Sequence, residues 1–263
     1  MKKLIFILLC AVCLVSCSDT SVSEEISSSE EVSVTETVTT TVSENKNETA
    51  DIEIPKNAEY KQTATIYNSH GFFEKIVNIF DENDNVLINL VYISENGEPP
   101  TSWTIYTYDT DNRLIKEDFY CNNRLLNYTE YEYDENGIII SDTEYYNINN
   151  DEVQEIRTEY IYNDNGILSA KQTYQQNGNK SYSYHYEYDE QNRLIKENFN
   201  GRINSCCSYS YDENGNISEK TDNGEYGITV AYYTYDDNNR LISAEEYNDD
   251  ELIHTYEYEY EKL

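Results

Sequence analysis

Three histidines, six cysteines and 51 acidic residues are the side chains of this 263-residue chain with chemistry to offer. Paired carboxylates can share general acid–base work. Here carboxylates occur throughout, so a pair carries no signal and a solvated acidic face is the simpler expectation. His70 falls in a turn, and His185 and His254 fall on opposite faces by the parity of their strands. No Ser-His-Asp or Cys-His arrangement has a supporting context. No Cys-x-x-Cys or Cys/His spacing suggests zinc. "DENDN" (Asp81 to Asn85) and "DENGN" (Asp212 to Asn216) are loosely similar to calcium loops but lack the spaced ligands and the distant glutamate. The expectation is a protein that is not an enzyme, with no catalytic residue, no metal and no cofactor.

One cysteine does have a context. Lys2 and Lys3 precede an apolar run of 13 residues, Leu4 to Ser16, too short to span a bilayer as a helix. A basic start, a short apolar core and small residues at its end describe a secretory signal. Leu14-Val15-Ser16-Cys17 resembles the bacterial lipoprotein signal, which is cut before the cysteine. That resemblance implies a signal over residues 1–16 and lipid on Cys17. It implies anchoring in the cell membrane or outer membrane, facing outside the cytoplasm, and two or more acyl chains would make it stable. An ordinary signal with a chance cysteine, or an uncleaved anchor, is the alternative.

Behind Cys17 the composition changes. Ser18 to Lys56 holds 39 residues, of which 15 are Ser or Thr and 10 are Asp or Glu, with no Gly and no aromatic. So little apolar surface cannot offset the cost of ordering the chain, and residues 17–56 read as a disordered tether. Its root-mean-square reach is roughly 35 Å. Without Lys2 and Lys3, 18 − 2 = 16 basic residues face 51 acidic ones, a net charge of −35. Nucleic acid and anionic headgroups are poor partners for such a surface. Basic proteins, neutral glycans and divalent cations remain open. Beyond the signal and Cys17, Cys121, Cys206 and Cys207 are left, an odd set that is no disulfide framework.

Residues 57–263 read as one repeat domain. Its anchors are Asp109, Asp134, Asn163, Asp189, Asp212 and Asp236, spaced by 25, 29, 26, 23 and 24 residues. Immediately before them stand Tyr108, Tyr133, Tyr162, Tyr188, Tyr211 and Tyr235, and two residues earlier Tyr106, Tyr131, Tyr160, Tyr186, Tyr209 and Tyr233. Three residues after the anchors stand Asn112, Gly137, Gly166, Asn192, Gly215 and Asn239, and five after stand Leu114, Ile139, Leu168, Leu194, Ile217 and Leu241. A weaker copy reads at Tyr67, Asn68, Gly71 and Phe73.

These columns describe a turn. Asp or Asn opens a type I turn by accepting a backbone N–H. Gly and Asn are the residues that most readily take positive φ. Together they predict a three-residue hairpin loop closed by a bulge, with Asp134 opposite Ile138 and Tyr133 opposite Ile139. A two-residue loop would put Ser169 and Ser218 in the partner column, which disfavours it. Other turns lie between these, so the chain reads as an all-β, antiparallel hairpin repeat meander of about 14 to 16 strands, an extended or curled sheet. The final stretch, "HTYEYEYEKL", reads as an edge strand whose glutamates discourage further pairing.

"YTYDTDNRLI", "YEYDEQNRLI" and "YTYDDNNRLI" resemble the Tyr-Asp (YD) repeat of bacterial Rhs proteins, from about Tyr60 to Leu263. The resemblance implies β-hairpin repeats in a surface or secreted protein. In large members the sheet spirals into a shell around a toxin, and some members bind carbohydrate. The stretch here is short for enclosing a large cargo. Two functions follow. The twelve column tyrosines could form an aromatic binding stripe for glycan or protein partners, in a lipid-anchored, surface-exposed module. Alternatively they are core, and the domain is a structural spacer or shield of the cell envelope with no specific ligand.

Cys17→Ala is expected to release the protein from the membrane fraction into the soluble one. Full retention of the variant, with no lipid label on the wild type, would overturn the anchoring.

Overall fold

The computed structural model describes residues 52–94, 99–146, 153–225 and 227–263. The signal, Cys17 and most of the tether lie outside the described residues. Sixteen strands follow: β1 (Ala58–Asn68), β2 (Gly71–Asp81), β3 (Val86–Tyr92), β4 (Ser102–Tyr108), β5 (Leu114–Cys121), β6 (Arg124–Tyr133), β7 (Ile139–Tyr146), β8 (Gln154–Tyr162), β9 (Leu168–Gln175), β10 (Lys180–Tyr188), β11 (Leu194–Asn200), β12 (Ser205–Tyr211), β13 (Ile217–Gly224), β14 (Gly227–Tyr235), β15 (Leu241–Asn248) and β16 (Glu251–Lys262). Each pairs antiparallel with its neighbours in sequence.

The sheet is not an open meander. It closes into a barrel, with β16 hydrogen-bonded to β1. The expected edge strand therefore has no edge. The reason lies in the alternation of its residues. Glu257, Glu259 and Glu261 stand opposite Thr65, Thr63 and Lys61, while Tyr256, Tyr258 and Tyr260 stand opposite Ile66, Ala64 and Gln62. The glutamates thus share a solvated face with hydroxyls and a lysine, and no two like charges oppose each other. Lys61 pairs with Glu261 at 2.6 Å and Lys262 with Glu59 at 2.9 Å across the seam. On the other face Gln62 Nε2 donates to Tyr260 Oη at 2.9 Å. An amide ladder continues from there, Asn78 to Gln62 and Asn89 to Asn78.

The predicted hairpin loop recurs at one rim. Tyr133 pairs with Ile139 across a register shift, and the Asp134 N–H donates to the Ile138 carbonyl at 2.8 Å. Gly137, Gly166 and Gly215 have φ of +77°, +74° and +85°, and Asn112, Asn192 and Asn239 have +64°, +59° and +59°. The weaker copy was misplaced. The β1–β2 turn at Asn68 and Gly71 lies at the opposite rim, because successive turns alternate between the two ends. The further unit at this rim joins β2 to β3. There Phe80 pairs with Val86, Asp81 donates its N–H to Asn85, and Asp84 has φ +64°. Phenylalanine in place of tyrosine hid it.

The folded unit also starts earlier than residue 57. Ile52 packs against the buried cluster of Ile79, Leu87 and Ile88. Ile79 and Ile88 face the same way as Lys61 and Glu261, so the segment entering β1 covers an apolar flank of the outer wall.

Gly137→Val is expected to cost about 1–2 kcal/mol, since a β-branched residue resists positive φ. A new Cβ there would meet Arg113 at an ordinary 3.6 Å, so backbone strain alone is at work. Asn192→Gly should be near neutral. Asn112→Gly should cost more, because the Asn112 side chain accepts from Asn85 Nδ2 at 2.6 Å. Denaturant unfolding measures all three, and an unaffected Gly137→Val would overturn the loop geometry.

Candidate functional site

The rim loops are built around their anchor carboxylates. Asp134 Oδ1 accepts the N–H groups of Asn136 and Ile138 at 2.9 and 2.8 Å. Asp109, Asp189 and Asp236 do the same and also bind Arg113, Arg193 and Arg240 through Nε, each at 2.7 Å. Asn163 supplies an amide oxygen in the same role. These bonds explain why the loop aspartates lie below their ordinary pKa. At Asp134 the Ile138 N–H is the main cause, and at Asp109 burial opposes the shift but the bonds from Arg113 and Asp111 together outweigh it.

Most units are locked to the next. The Tyr133 hydroxyl donates to the Leu114 carbonyl at 2.7 Å, Tyr162 to Ile139 at 2.7 Å, Tyr211 to Leu194 at 2.6 Å and Tyr235 to Ile217 at 2.9 Å. Tyr108 reaches Val86 at 3.0 Å, and Tyr260 reaches Leu241 at 3.1 Å. The arginine of one loop lies over the tyrosine of the next unit, as with Arg113 on Tyr133 (5.2 Å), Arg193 on Tyr211 (4.5 Å) and Arg240 on Tyr260 (5.3 Å). The column nearest the anchors is therefore first a latch.

Both tyrosine columns face inward. Their strand neighbours Glu130, Glu132, Glu159, Glu257 and Glu259 are exposed, whereas Tyr131, Tyr133, Tyr160, Tyr258 and Tyr260 are half-buried. The candidate stripe thus lines the barrel instead of the molecular surface. It is not packed solid. Of the twelve column tyrosines Tyr209 is buried, at 8% exposure, and the others are half-buried. A closed barrel of this strand number leaves space within.

A third column shares this wall and escaped the sequence reading. Directly across from the deeper tyrosines stand Glu117 (opposite Tyr106), Asp142 (Tyr131), Lys171 (Tyr160), Glu197 (Tyr186), Lys220 (Tyr209) and Ala244 (Tyr233). They occupy one repeat position, eight residues after each anchor. Their mixed identity hid them, but a charged or small residue always at that offset was a legible signal. The Tyr131 hydroxyl donates to Glu117 at 2.7 Å, and Lys171 lies 4.5 Å over the Tyr160 ring. Burial pushes the Glu117 carboxyl up, and Asp142 and Glu144 add to it against the Tyr131 bond. Burial likewise raises Asp142 and Glu197 and lowers Lys171. Asp142, Glu197 and Glu117 all act on Lys171, so residues from four strands share one electrostatic environment.

The remaining candidates are dispersed. His185 pairs with Ala170 on the outer wall, whereas His254 points inward with its Nδ1 3.0 Å from Glu246. Cys206 and Cys207 face opposite sides, and burial raises the Cys207 thiol to about 12. Among the described residues Cys121, Cys206 and Cys207 form no disulfide. Among the described residues no group of three His, Cys, Asp or Glu is arranged to hold a metal.

The outer wall is mostly polar. Lys61, Lys75, Lys116, Glu130, Arg157 and Glu259 stand on it. A membrane-spanning barrel carries an apolar band there, and each Arg or Lys at mid-bilayer would cost about 2–4 kcal/mol.

No protein-family model matches the chain, and no curated protein is similar to it. A porin-like protein from Bacteroides uniformis has a similar structure, with a TM-score of 0.52 and 9% identity over 79% of this chain and 98% of that one. At that identity the likeness concerns the barrel fold alone. A chain of TcdB2-TccC3-TEV aligns at a TM-score of 0.31 and 13% identity, over 71% of this chain and 12% of that one.

The two sets of carboxylates predict opposite pH effects. Glu117, Asp142 and Glu197 have folded pKa values above their ordinary 4.5, 3.8 and 4.5, so their contribution is full below those values and is lost as pH rises through the folded ones. The loop aspartates are held below 3.8, so theirs is present above that value and is lost as pH falls further. Thermal unfolding should therefore show stability rising as pH falls from neutrality toward the ordinary carboxylate values, then falling below 3.8. A steady fall from pH 8 to pH 5 would contradict the inward placement of the acidic column.

Proposed function

We propose that the chain is a non-enzymatic binding module, a barrel tethered outside the cytoplasm through lipid on Cys17, that takes a glycan against its inner wall. One observation carries the reading. The two tyrosine columns line a closed barrel, yet all but Tyr209 remain half-buried and keep accessible surface within. Tyrosine offers a flat apolar ring with a polar tip, which suits a sugar face. Successive units present the same rings at regular steps, so a weak contact multiplies along an extended chain. The acidic residues on both walls disfavour polyanions. The resemblance to YD repeats supports the same ligand class. The charged outer wall agrees with a barrel held near a membrane by its tether, with its strands in water.

Because β1 to β16 closes on itself, residues 52–263 form a self-contained unit for the test. This unit should retain a subset of neutral glycans on an array. A version with Tyr160→Ser and Tyr186→Ser on the inner wall should lose them, while the outer-wall change Tyr232→Ser should not. Circular dichroism checks that each version folds. Retention of protein partners alone would replace the glycan by a polypeptide. If the wild type retains nothing, and deleting two whole units leaves the cell's phenotype unchanged, the domain is a spacer or shield.

A further inference from the structure

Away from the tyrosine columns, the inner wall holds a charge that the barrel leaves unanswered. Glu74 is 6% exposed and stands on β2 opposite Ile66, on the inward face. Among the described residues it makes no hydrogen bond or ion pair. Burial pushes its carboxyl up, and the nearby His254 partly reverses this. A carboxylate so enclosed is costly unless something pairs with it.

Its surroundings indicate what that partner is. The row from Glu74 crosses Ile66 and reaches Tyr256 on β16. The Tyr256 hydroxyl donates to Glu246 Oε2 at 2.8 Å, and His254 Nδ1 lies 3.0 Å from the same oxygen. The Phe73 and His254 rings are 5.2 Å apart. Beside them, Ala64, Ile66 and Ile76 form a buried apolar cluster against which Tyr256 and Tyr258 pack. The Tyr258 hydroxyl is buried without a hydrogen-bond partner. This corner therefore offers a carboxyl and a hydroxyl without hydrogen-bond partners and aromatic rings lying over an aliphatic cluster.

Each feature selects. The carboxylate asks for an N–H donor with positive charge. The aromatic rings favour a cation over a neutral group. The half-buried rings of Tyr256 and Tyr258, which cover Ala64, Ile66 and Ile76, accept methylenes. A second carboxylate, Glu246, repels anions. We propose that this corner binds an organic ammonium ion with an aliphatic body, its N–H groups on Glu74 and its chain against the Tyr256 and Tyr258 rings. The proposal rests on the reading above in one respect, that solutes reach the inner wall. It names a different ligand and a different set of residues.

The probes are n-pentylamine, the neutral pentan-1-ol, the dianion glutarate and calcium ion, titrated into residues 52–263 by calorimetry. Pentylamine should saturate one site, pentanol should bind at least tenfold more weakly, and glutarate should not bind. Glu74→Gln should weaken pentylamine at least tenfold, and the outer-wall change Glu130→Gln should leave it unchanged. In wild type, the imidazole resonances of His254 should move with pentylamine while those of His70 and His185 stay. That readout needs no variant to fold. Equal affinity for pentylamine and pentanol, unchanged binding in Glu74→Gln, or calcium displacing the amine would each overturn the proposal. Glycan binding with no amine binding sinks this site alone, and the reverse sinks the glycan reading alone. Failure of both sinks both.

Discussion

The tyrosine that stands immediately before each anchor is the contact on which the barrel depends. At every anchor but Asp189 its hydroxyl donates to a carbonyl beside the previous unit's bulge, as Tyr133 does to Leu114 and Tyr211 does to Leu194. A buried carbonyl without a partner is costly, so each unit needs the next. The same tyrosine receives the preceding loop's arginine on its ring. One side chain thereby sets the register between units and faces the column inward. It also ties the loop to the wall.

Closure follows from repetition. A register shift recurs beside Tyr108, Tyr133, Tyr162, Tyr188, Tyr211 and Tyr235. Each bulge bends its strand and adds to the local twist. Many equal bends in one sense curl a sheet until its last strand reaches its first. At that seam the inner face offers Gln62 to Tyr260 and the outer face offers lysines to glutamates. The joint is specific on both sides.

The barrel also sorts its charges. Loop aspartates at the rim are held ionised by backbone N–H groups and arginines, whereas Glu117, Asp142 and Glu197 within are pushed toward their neutral form by burial. Lys171 lies among them and over a tyrosine ring. Such an interior suits neutral or cationic guests. Glu74 lacks the tyrosine hydroxyl that serves Glu117 and is less exposed than Glu117 or Glu197, and for that reason it stands out.

By itself the sequence determined the local structure. Asp134 with Gly137, and Asp109 with Asn112, specify a turn through their own hydrogen bonds and positive φ, which act over a few residues. The alternation of tyrosine with glutamate sorted the two faces of strands such as β6 and β16, and the strand count was legible from the spacing of turns. What the tertiary structure alone decided was which face is inside and whether the sheet ends. Both depend on summed curvature and on Lys61 meeting Glu261, residues at opposite ends of the repeat domain. The unit at Phe80 and Asp81 was hidden because it keeps the turn and lacks the tyrosine. Glu74 meets Glu246 and His254 only through closure, which sets β1 beside β16. Local chemistry writes a hairpin, but a long-range contact forms only when the accumulated twist of all the hairpins brings its partners together.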